Sequence, residues 1–435
     1  MKRSSLGLAA CLVLTCARPG QPELAHAEPG KSQPPPALAS ASVPAAPPPS
    51  ALPRIEEVPG RVAARGALST FFDRLRELAA GTRSEHVRLL WLGDSHTAAD
   101  FLSGSVRAGL QARFGDAGPG FVRVGTRSYR HDGLKIVRDG NWNVDPDPPA
   151  RRALQDDGVF GFAGTRAVPA PGASFSVEIS PRPSRPDEAA SFEFSYTLPA
   201  GSSFDVELGD KRSRVTAQSS SDVAASGISH LTLTAPLRSH LLLAPRSGTP
   251  RLFGLVIERT AQVGVVLDTA GIDGARLETP LSWNETAFAA EVARRSPQLF
   301  VIAYGTNEAF DGLKVDRYAG HLEKLVQRLR AGAAQASCLV LGPTDAPLGE
   351  GSVPRVAEVS QVLERASASL GCGYLSLQRL MGGEGSFAKG MRAPAKERLA
   401  QPDKLHLTPK GYQELGRTLG KLLLDAYSAG RVDLP

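Results

Sequence analysis

The sequence predicts an α/β fold: a three-layer arrangement with a parallel sheet between helices, interrupted by an inserted β-sandwich of jelly-roll-like character. Three observations carry this reading. Up to residue 122 and again from 263, compact apolar runs alternate with stretches whose apolar residues recur at helical spacing. From about 123 to 262 the period is two instead, with Pro, Gly and Ser clusters between the runs. Apolar strands alternating with amphipathic helices imply a parallel sheet covered on both faces.

Taken in order, Leu68, Phe71, Phe72, Leu75 and Leu78 share one helical face. Val87 to Leu92 is an apolar strand that ends at Gly93-Asp94-Ser95, and Leu102, Val106, Leu110 and Phe114 then return to helical spacing. In the middle region Phe175, Val177 and Ile179 alternate with polar residues, as do Phe192, Phe194 and Tyr196, then Phe204, Val206 and Leu208, then Leu231 and Leu233. Beyond 263 the expected strands are 265–267, 299–304, 338–341 and 374–377, with helices over 284–295, 315–331, 354–370 and 409–428. The domains read as 61–122 joined to 263–435 for the α/β part, and 123–262 for the insert, a candidate carbohydrate-binding module.

The chain has 435 residues, 42% of them hydrophobic, enough to bury a sizeable core. It has 50 Lys and Arg against 44 Asp and Glu, a net +6. These are scattered rather than blocked, so nothing points to nucleic acid. No apolar run reaches the ~18 residues of a membrane span.

Residues 1–16 read as a secretory signal, with Lys2 and Arg3 ahead of a short apolar core from Leu6 to Leu14. Val13-Leu14-Thr15-Cys16 resembles a bacterial lipobox, which makes Cys16 a lipidation site; cleavage after Ala25-His26-Ala27 is the other reading. Either route takes the protein out of the cytoplasm, to the periplasm or outer membrane. Residues 17–60, rich in Pro and Ala, read as a disordered tether. Cys338 and Cys372 remain in the mature chain. They can pair in an oxidising compartment, but strand cysteines often simply pack, and two buried thiols is the favoured expectation.

In an open α/β sheet, ligands bind beyond the carboxyl ends of the strands. Four polar blocks fall there: Gly93-Asp94-Ser95-His96, Gly271-Ile272-Asp273-Gly274, Gly305-Thr306-Asn307-Glu308 and Asp403-Lys404-Leu405-His406. A serine nucleophile needs a base, and the base needs an orienter. Ser95 sits at a strand-to-helix turn, where a helix cap is its alternative role. His406 precedes the last helix, with Thr408 as N-cap and Pro409 at the first helical position. Asp403, three residues earlier, can meet its imidazole. His96 adjoins the serine without a carboxylate at useful spacing. For an oxyanion, Ser95 and Gly274 offer backbone N–H groups and Asn307 a side-chain amide. No Gly-x-Ser-x-Gly elbow surrounds Ser95.

These blocks, in this order, resemble the SGNH (GDSL-type) hydrolase family over roughly 85–122 and 263–428. The resemblance implies a flavodoxin-like parallel sheet, Ser95 as nucleophile, Asp403 and His406 completing the triad, and Gly274 and Asn307 completing the oxyanion hole. It implies no metal and no organic cofactor. Ala99-Asp100-Phe101, Phe114-Gly115-Asp116-Ala117-Gly118-Pro119-Gly120, Tyr304-Gly305-Thr306-Asn307-Glu308 and Met381-Gly382-Gly383-Glu384-Gly385-Ser386 are similar to bacterial cell-envelope esterases that remove O-acetyl groups from peptidoglycan, which also carry an inserted β-domain. Where that last loop often continues to a Trp, this chain has Phe387-Ala388-Lys389-Gly390.

The expected partner is thus an O-acetylated glycan, with the membrane reached only through a lipid anchor. An O-acetyltransferase or lipase-like esterase with the same triad, and a non-catalytic glycan-binding envelope lipoprotein, are the alternatives. Trp142, in a polar stretch between Asn141 and Asn143, is the candidate for stacking on a sugar; Trp91 reads as core.

Overall fold

The computed structural model describes residues 66–127, 129–145, 157–180, 187–217 and 227–430. The signal segment, Cys16 and the tether lie outside the described residues. In chain order, α1 (Ser69–Ala79) leads into β1 (Val87–Gly93), the one-turn α2 (Ser95–Ala98) and α3 (Leu102–Phe114). Next come β2 (Gly120–Val122), β3 (Leu134–Asp139), β4 (Trp142–Asp145), β5 (Arg166–Pro169), β6 (Ser174–Ile179) and β7 (Ala189–Thr197). These are followed by β8 (Ser203–Leu208), β9 (Lys211–Thr216), β10 (Ser229–Pro236), β11 (Leu241–Ser247) and β12 (Arg251–Arg259). The α/β rhythm resumes with β13 (Val265–Gly271), α4 (Glu285–Arg295), β14 (Leu299–Ala303), α5 (Arg317–Gly332) and β15 (Ser337–Gly342). The chain closes with a small hairpin, β16 (Pro347–Leu348) and β17 (Gly351–Ser352), then α6 (Pro354–Ser369), β18 (Gly373–Ser376), α7 (Leu377–Leu380), α8 (Ser386–Arg392) and α9 (Pro409–Ser428).

The central sheet runs β13-β1-β14-β15-β18, every pair parallel. Numbered along the chain within this sheet, the order is 2-1-3-4-5, that of the flavodoxin-like sheet the resemblance implies. Its switch point lies between β1 and β14. Alternation along β1 divides the core: Leu89 and Trp91 face one layer with α1, α3 and α9, while Leu90 and Leu92 face the other with α4, α5 and α6. Both faces are buried, which is why these strands read as unbroken apolar runs. Thr408 accepts a hydrogen bond from the Gly411 N–H at 3.1 Å and Pro409 opens α9, as their sequence predicts.

Two antiparallel sheets interrupt this unit. One runs β10-β7-β12-β5-β4, with β2 also paired to β12; the other runs β3-β6-β11-β8-β9. Phe192, Phe194 and Tyr196 from the first meet Phe175, Val177, Phe204 and Val206 from the second in one sandwich core. Trp142 belongs to that core, and this corrects its expected role. It is only 7% exposed, packs edge-on to Phe175 and donates its indole N–H to the Asp139 carbonyl at 3.0 Å. The flanking asparagines made the stretch look like an open loop, but Trp142 starts β4, and alternation turns its ring inward.

The sandwich is fastened to the α/β layers. Phe121, Phe160, Phe162 and Val256 complete the core face formed by Leu90, Leu92 and Phe300. Glu258 of β12 accepts from both Arg88 (2.8 and 2.7 Å) and Arg295 (2.7 Å), and Arg295 also reaches Asp268 at 2.9 Å. Burial alone would raise the Glu258 carboxyl pKa; the Arg295 and Arg88 guanidiniums outweigh it and hold the group well below the usual range.

Cys338, in β15, and Cys372, just before the adjacent β18, form a disulfide. The expectation of two free thiols is therefore wrong. Strand neighbours in register bring the two residues to a Cα separation of 4.7 Å, within reach of a bridge.

Candidate active site

Gly93 at the end of β1 is in register with Gly271 of β13 and Ala303 of β14. Ser95, Gly274 and Asn307 therefore leave the same edge of the sheet, around the switch point. The glycines matter for packing. A Cβ on Gly93 would lie 2.2 Å from the Thr97 hydroxyl, and one on Gly271 would lie 2.4 Å from the Ala98 backbone nitrogen. Without them α2 could not settle onto the strand ends, and Ser95 would be displaced. Asp94, fully buried, caps α2 by accepting the His96 N–H at 3.0 Å. Burial pushes its carboxyl up to about 8.

The last polar block returns to this edge from the far end of the chain. Ser95 Oγ is 2.9 Å from His406 Nε2, and His406 Nδ1 is 2.8 Å from Asp403 Oδ2. Asp403 Oδ1 accepts the N–H of Leu405 at 3.0 Å and of His406 at 2.9 Å, so the loop fixes its own carboxylate. Slight burial favours protonation of Asp403, but the hydrogen bonds from His406 and Leu405 prevail and hold its pKa below normal. An ionised Asp403 facing Nδ1 puts the ring proton there and leaves Nε2 as the acceptor toward Ser95.

Gly274 has φ +70°, a conformation that favours glycine. No acceptor among the described residues takes its N–H. Asn307 Nδ2 gives one hydrogen to the Ala275 carbonyl at 3.0 Å, which aims the amide and leaves its second hydrogen for a ligand. The five site residues read from the sequence thus meet at one edge, while Trp142 stays in the sandwich core.

Sequence reasoning missed the groups that hold this edge together. Glu308, fully buried, accepts Leu277 N–H at 2.8 Å and Gly305 N–H at 3.0 Å, clamping the Gly274 loop to the Asn307 loop. Its neighbour Asn307 was singled out, but nothing local distinguishes a clamping Glu from a solvated one. His96 is buried, meets the Tyr412 hydroxyl at 2.8 Å, and burial drives its pKa down to about 3, so it is a neutral packing partner. Asp345, also buried, accepts from Gln378 at 2.9 Å and the Phe387 N–H at 2.9 Å, anchoring the Gly382–Phe387 loop. The departure at Phe387 places that ring in the core, 0% exposed.

A serine, an imidazole and a carboxylate in one hydrogen-bonded chain beyond a parallel sheet is the arrangement that acyl transfer through a serine requires. Residues 234–414 match the GDSL-like lipase/acylhydrolase family. The fold is shared with a solved structure of a peptidoglycan O-acetylesterase, at TM-score 0.70 and 23% identity, over 85% of this chain and 99% of that one. An acetyl xylan esterase gives TM-score 0.29 at 16% identity over 37% of this chain and 82% of its own. A family two carbohydrate esterase from Cellvibrio japonicus gives 0.28 at 12% identity over 68% and 98%. No curated protein matches the chain. The GDSL-like lipase/acylhydrolase match covers less than half of the chain, and the likeness to the solved esterase extends over the rest as a shared fold.

Proposed function

We propose that this protein is a hydrolase that removes O-acetyl groups from peptidoglycan through an acyl-serine intermediate. The observation that carries the mechanism is the unbroken chain Ser95–His406–Asp403. Ser95 Oγ attacks the acetyl carbonyl while its proton passes to His406 Nε2. The tetrahedral oxygen takes hydrogen bonds from the Ser95 and Gly274 N–H groups and the free Asn307 amide hydrogen. Collapse expels the sugar oxygen, which takes the proton back from His406. Water, deprotonated by the same nitrogen, attacks the acetyl-Ser95 carbonyl; a second collapse releases acetate and returns the proton to Ser95. Asp403 stays ionised throughout and steadies the imidazolium.

The assignment to peptidoglycan rests on the motifs shared with cell-envelope esterases and on a fold held over nearly the full length of a peptidoglycan O-acetylesterase, the inserted sandwich included. With Trp142 buried, Phe310 offers an open ring among the described residues, 53% exposed and three residues beyond Asn307 in sequence. Export with lipidation at Cys16 completes the reading. The Cys338–Cys372 bridge supports it, since such bonds persist in oxidising compartments.

The test is acetate release from O-acetylated peptidoglycan, beside a short-chain and a long-chain aryl ester. Preference for polymer and the short ester supports the proposal; preference for the long ester makes the enzyme lipase-like. Cys16→Ser should move the protein out of the membrane fraction, and a mature amino terminus at or beyond Glu28 would contradict lipidation.

A further inference from the structure

Among the described residues, buried arginines are as a rule paired. Arg107 meets Asp100, Arg295 meets Asp268 and Glu258, and Arg259 meets Glu188. Arg123 breaks the pattern. It is 6% exposed, its Nε and Nη2 have no hydrogen-bond partner, and no carboxylate among the described residues forms an ion pair with it. Its guanidinium carbon stands 5.9 Å from the centre of the Tyr129 ring. An unpaired charge in a low-dielectric interior is costly, and sequences seldom keep one without a use.

The location supplies a use. Arg123 directly follows β2, and β2 lies against β13: the Phe121 N–H donates to Asp268 Oδ1 at 2.9 Å, and Gly120 packs on the Leu267 carbonyl. β13 is the strand whose end delivers Asp273 and Gly274. Burial pulls the Arg123 pKa down, and the titratable groups that oppose this are Tyr129, Asp273 and Tyr304. Tyr304 joins β14 to the Gly305–Asn307 turn, and its own hydroxyl is also buried without a partner. The β2–β13 packing therefore carries Arg123 on the strand pair that leads to the Gly274 loop, within electrostatic reach of Asp273 and of Tyr304 ahead of Asn307.

We propose that Arg123 is kept unpaired so that its field favours the negative charge that develops on the ester oxygen between Gly274 and Asn307. This rests on the ester-cleaving role proposed above. The inserted sandwich then takes part in the chemical step, not only in covering apolar surface. Arg123 need not touch the substrate. A preorganised charge in a water-poor site acts through space and costs no reorganisation as the reaction proceeds. Its contribution appears in the transition state and not in ground-state binding.

The experiment uses the full chain, an aryl acetate, and an alkyl boronic acid as a mimic of the tetrahedral state. Arg123→Met replaces the cation by an apolar chain of similar reach, and Arg123→Lys keeps the charge. Arg123→Met is expected to lower kcat about tenfold or more with KM little changed. It should weaken boronate inhibition in parallel and leave Tm unchanged or higher, because an unpaired buried charge has gone. Arg123→Lys should recover part of kcat. Wild-type kcat in Arg123→Met, or equal losses of Tm and kcat in both variants, overturns the proposal while wild-type turnover keeps the esterase reading intact. A wild-type protein that cleaves no ester overturns both.

Discussion

Ser95 Oγ and His406 Nε2 stand 2.9 Å apart although 311 residues separate them in the chain. The whole sandwich and four further strands of the sheet lie between. The pair meets because β1 is an interior strand of the sheet and α9 packs on α3, the helix after the short α2 that Ser95 opens, so the loop ahead of α9 ends over Ser95. A contact of this sequence separation must be specified by the entire fold, and a small shift in either element breaks the Ser95–His406 geometry.

Asn307 is the most direct probe of charge stabilisation. Asn307→Ala removes the proposed oxyanion donor and also the bond to Ala275, so kcat should fall about 10²–10³ with little change in KM. If the variant is folded and turns over normally, Asn307 is only a strut between the two loops.

Asp403→Asn keeps the side-chain shape but cannot hold the imidazole proton at Nδ1 with a negative partner. Turnover of an aryl acetate should drop about 10³–10⁴ with the protein still folded by circular dichroism. A loss of less than about fivefold would show that the backbone of the Asp403–His406 loop, not the carboxylate, orients the ring.

Glu308 predicts a pH effect on stability. Burial raises its pKa to about 7 and that of Asp94 to about 8, so both bind protons more tightly folded than unfolded. Their contribution is full below the unfolded carboxylate pKa near 4 and is lost as pH rises through about 7 and 8. Glu308→Gln cannot ionise, so its melting temperature should decline less between about pH 5 and 8. It should also lower kcat, because an amide N–H cannot accept from Leu277 or Gly305. An unchanged pH slope would mean that Glu308 stays ionised under its two N–H donors.

The Cys338–Cys372 bridge closes a loop with a sequence separation of 34. Replacing both by serine should cost about 3–4 kcal/mol in denaturant unfolding. Thiol titration of the denatured, unreduced protein should find neither cysteine free, and a signal from both would return the pair to separate packing.

The α/β half was legible because its strands are buried on both faces and its helices carry clear amphipathic stripes. Caps such as Thr408 fixed helix starts from local chemistry alone. The site was legible where its residues follow strands, since strand ends in a parallel sheet converge: Ser95, Gly274 and Asn307 were readable for that reason. Trp142 was misread because composition of a segment does not say which face of a strand a ring takes. Disulfide pairing was open because it depends on register between β15 and β18, which only the sheet order settles. Glu308 and Arg123 were invisible because their significance lies in what surrounds them across the fold. The attachment of the insert was hidden likewise: Phe121 and Val256 complete the α/β core, so the sandwich cannot be cut away cleanly.

The central claim is that Ser95 carries acetyl from peptidoglycan to water. The measurement is acetate released from O-acetylated peptidoglycan by the wild type and by Ser95→Ala, with intact-mass analysis of the rapidly quenched wild-type reaction. The account predicts acetate from the wild type alone, and a transient acetyl adduct that maps to Ser95. Acetate release by a folded Ser95→Ala protein, or an adduct on another residue, would contradict it.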